Sequence, residues 1–71
     1  LPRYRIEVRV GGEADHGVTE EIDADKYIVN RFGEDTFFFE FVVGEDPAKI
    51  VFTADTRNTV YIKELEGPSA N

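Results

Sequence analysis

The 71-residue sequence contains no Cys, no Met and no Trp, and a single His. Without Cys there is no disulfide framework and no thiolate zinc site. One His excludes a multi-histidine metal centre within one chain. Ser occurs once, at Ser69 in the closing residues, which argues against a serine nucleophile. No apolar run approaches the roughly 20 residues that a membrane helix needs, and no secretory leader pattern is visible. Six Gly and three Pro in a chain that is 41% hydrophobic speak against collagen-like or disordered classes. The expected setting is the cytoplasm.

A chain this short buries only about 60% of its unfolded surface, so its core must be dense or supplemented from outside. It supplies 29 residues from Ala, Val, Ile, Leu, Phe and Tyr, enough for one small core and one domain. Residues 1–66 are expected to form that domain and 67–71 a flexible tail.

The net charge is −7, and it is unevenly spread. Arg3, Arg5 and Arg9 face only Glu7 in the first twelve residues, whereas residues 13–46 hold eleven acids against Lys26 and Arg31. Polyanionic nucleic acid and anionic membranes are poor partners for such a surface. A basic protein is a better one, and solubility alone is a sufficient reason for the acids.

Hydrophobic alternation runs through the chain with period two, the mark of half-buried strands. Tyr4, Ile6, Val8 and Val10 alternate with Arg5, Glu7 and Arg9. A Gly-rich loop follows at 11–17. Val18, Ile22 and Ala24 then alternate with Thr19, Glu21 and Asp23, leaving Glu20 as the one polar residue on the inward side. Further strands are expected over 27–32, 36–43, 49–54 and 59–65, with turns at Gly33-Glu34-Asp35, at 44–47 and at 55–58. No segment has convincing helical spacing. The predicted fold class is all-β: one antiparallel meander of five or six strands, closed as a small barrel or curled into a strongly twisted sheet. The pattern resembles the small SH3-like and Sm-like barrels, which have five strands and often assemble through edge strands. The resemblance is architectural, and no residue is carried across on it.

The densest apolar segment is Thr36–Val43. Phe37, Phe39, Phe41 and Val43 fall on one face and Phe38 and Val42 on the other, with Glu40 between them. One small core covers one face. Phe38 and Val42, with Phe37, Phe39 and Phe41 beside them, are therefore candidate interface residues, and a homo-oligomer is expected. Glu34-Asp35 and Glu45-Asp46 flank the segment as charged gatekeepers.

Six acids, Glu13, Asp15, Glu20, Glu21, Asp23 and Asp25, form a candidate acidic partner surface. The competing reading is cross-strand ion pairing, with Arg5 or Arg9 set against Glu21 or Asp23. An EF-hand pattern is missing around Asp23-Ala24-Asp25, so no metal is expected. His16 sits in the Gly-rich loop with no nucleophile in reach, and reads as a solvated loop residue. Gly11-Gly12 lacks the Lys and Ser/Thr of a phosphate loop.

No nucleophile, base and oxyanion donors assemble, so the sequence argues against an enzyme and implies no cofactor. The leading expectation is a non-enzymatic acidic β-domain acting in protein–protein interaction or self-assembly. The alternative is an acidic decoy or inhibitor that occupies a basic, nucleic-acid-binding surface on a target.

Overall fold

A computed structural model describes residues 1–10 and 17–65. Six strands and one short 3-10 turn account for them: β1 (Arg3–Arg9), β2 (Gly17–Asp23), β3 (Lys26–Phe32), β4 (Thr36–Val43), β5 (Lys49–Asp55), the turn at Thr56–Asn58, and β6 (Thr59–Leu65). Each strand falls on a segment expected to be extended, and β1 carries the cleanest period-two pattern. The expected tail at 67–71 lies outside the described residues.

All ladders are antiparallel, and they form two three-stranded sheets. The first has the order β2-β1-β6 and the second β3-β4-β5. Consecutive pairing within the second sheet follows the expected meander. The first departs from it, because β1 sits between its neighbour β2 and the last strand, β6. Among the described residues, no ladder joins the two sheets into a closed barrel.

Two connections link the sheets. Only Ala24-Asp25 separates β2 from β3. At that corner the Ala24 N–H donates to the Pro2 carbonyl and the Asp25 N–H to the Val42 carbonyl, at 3.1 and 2.8 Å. One residue thus ties to each sheet. Asp25 also accepts from the Gly44 N–H through its carboxylate at 2.6 Å, which holds the β4–β5 turn against the corner. The second connection is the 3-10 turn. Asp55 caps it by accepting from the Arg57 N–H at 2.8 Å, and the Asp55 carbonyl accepts from the Thr59 hydroxyl at 2.9 Å. The β3–β4 hairpin closes through Gly33, whose φ of +82° suits a residue without a Cβ.

The core lies between the sheets. Tyr4, Ile6 and Ile22 come from the first sheet, Phe41 and Ala54 from the second, and Ala24 from the corner. Val8, Phe39, Val43, Phe52 and Ile62 pack around them. Aromatic edges join the layers, with the Tyr4 ring 5.6 Å from Tyr27 and 5.5 Å from Phe41; within the second sheet Phe41 lies 5.9 Å from Phe52. Such edge-to-face pairs contribute about 0.5–1.5 kcal/mol beyond the area they bury. Burial raises the Tyr4 phenol above its ordinary value, because the charged form is disfavoured away from water. The core is small for its chain. The radius of gyration is 13.2 Å, against about 11 Å expected of a compact domain of this length. No helix is long and apolar enough to cross a membrane among the described residues.

Candidate functional site: two unlike outer faces

The face of each sheet turned away from the core is where a partner could dock. On the first sheet that face carries Arg3, Arg5, Glu7 and Arg9 from β1, with Thr19, Glu21 and Asp23 opposite them on β2 and Tyr61, Lys63 and Leu65 on β6. Four of these charges are matched between β1 and β2. Arg5 bonds Glu21 at 3.0 Å, and Arg3 bonds Asp23 at 2.9 Å with a second approach to Glu21 at 3.9 Å. The hydrogen bond from Arg3 holds the Asp23 carboxyl below the usual carboxylate range, and Asp23 in turn raises the guanidinium. Asp55 is likewise lowered by the hydrogen bonds it accepts from Arg57. The expected Arg5–Glu21 pair is present, while Asp23 is taken by Arg3 rather than by Arg5 or Arg9.

This pairing divides the six-residue acidic surface. Glu21 and Asp23 are spent on arginines, and Asp25 is occupied by the Gly44 N–H. Glu20 stands opposite Ile6, on the core side of the sheet, yet it is exposed because β2 is an edge strand. Glu13, Asp15 and His16 lie outside the described residues. Among the described residues, no three His, Cys, Asp or Glu side chains come together to hold a metal ion.

The outer face of the second sheet is different in kind. Strand β4 contributes Phe38, Glu40 and Val42. Register sets Ile28 and Asn30 of β3 against Glu40 and Phe38, and Ile50 and Thr53 of β5 against Val42 and Glu40. Phe32 joins them with its ring 5.2 Å from Phe38, edge to face. Phe32, Phe38 and Thr53 line a shallow apolar hollow. Ile28, Phe32, Ile50 and Val51 are each at least 39% exposed. One polar group interrupts the face. Glu40 is buried to 4% exposure and accepts a 2.6 Å hydrogen bond from the Asn30 side-chain amide.

The five aromatic-stripe candidates do not share one fate. Phe41 is fully buried and belongs to the core, and Val42 is 3% exposed. Neither offers surface to a partner. The expectation that Val42 needs cover from a second molecule is therefore corrected: β4 is a central strand, and the side chains of its flanking strands already shelter it. Phe38 and Phe39 are half-buried, and Phe37 is exposed on the core side where the first sheet does not reach. The accessible apolar surface sits one strand to either side, on Ile28, Phe32, Ile50 and Val51. Sequence reading passed over these residues because each occurs in a strand of ordinary composition.

No protein-family model, curated protein or solved structure matches this chain.

Proposed function

We propose that the protein is a non-enzymatic protein–protein interaction and self-assembly module, and that the outer face of the second sheet is its contact surface. The observation that carries this reading is the exposure of Ile28, Phe32, Ile50 and Val51 on that sheet, together with the hollow that Phe32, Phe38 and Thr53 line. A monomeric soluble domain rarely leaves a contiguous apolar patch without use. Asn30 is exposed and held by its hydrogen bond to the buried Glu40, which gives the patch one polar group with which to orient a partner.

The architecture fits the same proposal. Counting β2 and β3 as two halves of one bent strand leaves five strands, with a 3-10 turn before the last. This supports reading the fold as an open version of an SH3-like or Sm-like barrel. The acidic-decoy reading draws less support, since Glu21 and Asp23 are matched by arginines within the chain.

Sedimentation velocity of the wild type, Phe38→Ser and Ile50→Ser tests the proposal. The wild type is expected to self-associate at high micromolar concentration and both variants to do so less. A wild type that stays strictly monomeric there contradicts the self-assembly part.

A further inference from the structure

Among the described residues, four strands have a free backbone edge: β2 and β6 in the first sheet, β3 and β5 in the second. A free edge presents unpaired N–H and C=O groups on which another strand can add. The four are not equivalent. β5 and β6 each carry an unmatched residue, Val51 and Val60, where the register with the central strand shifts. A bulge of this kind bends an edge and protects it from pairing. β2 holds Glu20, Glu21 and Asp23 and no base, so a second β2 would set like charges side by side. β3 is the exception. It pairs with β4 over all seven residues without a shift, and every one of its residues is exposed. It carries Lys26 and Arg31 and no acid, in a chain of net charge −7.

We propose that β3 pairs antiparallel with β3 of a second copy, about a two-fold axis at Val29. This rests on reading the chain as a self-assembly module; it names the partner and places the contact at the β3 edge, leaving the outer face of the joined sheet open. Register follows from the faces. Opposed residues of an antiparallel pair share a face, so a two-fold dimer that keeps outer face with outer face pairs odd residues with odd and even with even. Only Val29 on the axis engages the whole strand. Ile28 then lies opposite the partner's Asn30, Tyr27 opposite the partner's Arg31, and Lys26 opposite the partner's Phe32. Lys26 meets an aromatic ring, a favourable contact, while the Arg31 guanidinium keeps its hydrogen bonds to the Gly33 and Glu34 carbonyls of its own turn; every pair occurs twice by symmetry. The two Lys26 side chains end about 20 Å apart along the strand, well beyond the ~8 Å screening length at physiological salt. The product is one six-stranded sheet whose outer face joins Ile28 and Phe32 of both copies.

A charge swap at the axis tests this. Val29 is 54% exposed, so Val29→Lys and Val29→Glu should fold like the wild type, which circular dichroism checks. Sedimentation equilibrium should show a wild-type dimer and at least about tenfold weaker dimerisation for each variant alone, about 1.4 kcal/mol or more. An equimolar mixture of the two variants should regain the dimer, because opposite charges then face each other across the axis. Undiminished dimerisation of Val29→Lys, a mixture that stays monomeric, or species that grow beyond a dimer would each overturn the pairing. Dimerisation lost in Ile50→Ser but intact in Val29→Lys would overturn the edge and keep the broader reading. A wild type monomeric to millimolar concentration would overturn both the edge and self-assembly.

Discussion

The two sheets share strand length, antiparallel pairing and one core, and they differ in the side they show to solvent. The first turns out a lattice of arginines and carboxylates that satisfy one another, Arg5 with Glu21 and Arg3 with Asp23. The second turns out Ile28, Phe32, Phe38 and Ile50 around one buried carboxylate. Matched exposed charges cost little to leave in water and gain little from a partner. Exposed apolar area gains about 25 cal/mol for each Å² that a partner covers. The contrast is the ground on which contact is proposed for the second sheet and solubility for the first.

The largest expected effect tests what the sheets have in common. Phe41 and Ile6 are fully buried and lie in different sheets. Phe41→Ala should cost about 3–5 kcal/mol and Ile6→Ala about 2–5 kcal/mol, enough to unfold much of a domain whose whole stability is of that order. Urea titration followed by circular dichroism checks both. Phe37→Ala, at a site 40% exposed, should cost far less. Equal losses at Phe37 and Phe41 would mean that the core extends where the structure leaves it open.

A middle-sized effect belongs to the second sheet alone. Asn30→Ala removes the hydrogen bond to Glu40, leaving a buried carboxylate without it and costing about 1–3 kcal/mol. Thermal melts read the loss. Glu40→Gln in the Asn30→Ala background should recover part of it, since a neutral amide is cheaper to bury than an unpaired charge.

The smallest effects belong to the first sheet. Glu21→Gln should cost about 0.2–1 kcal/mol and less at high salt. Asp23 and Asp55 titrate below the ordinary carboxylate value of 3.8. A depressed folded pKa contributes stability above the unfolded value, and that contribution is lost as the pH falls through the folded one. Stability should thus decline on acidification below the usual carboxylate range. Arg3→Gln and Arg57→Gln should each flatten that decline. Melting temperatures across acidic buffers measure it.

Much of this was legible in the residues. Short β-prone apolar segments bounded by turn residues located all six strands, most cleanly in β1, where strict alternation means that a one-residue error would move the apolar set to the wrong face. The outward Arg5 and Glu21 were legible for the same reason. The Asn30–Glu40 bond was also within reach: a three-residue turn at Gly33–Asp35 sets Phe32 against Thr36 and therefore Asn30 near Glu40. Return of β6 to the side of β1 was not legible, since a pairing between the two ends of a chain leaves no local trace. The burial of Val42 was missed for a related reason. Whether a residue needs a partner depends on which strands flank it, and β4 being central shelters Val42 while leaving Ile28 and Ile50 on the strands beside it open.

Methyl chemical shifts followed by NMR during dilution test the contrast between the two faces most directly. The account predicts concentration-dependent shifts at Ile28 and Val29 on β3 of the second sheet, and constant shifts at Leu65 on the outer face of the first. Movement confined to the first sheet, or no movement anywhere up to millimolar concentration, would contradict it.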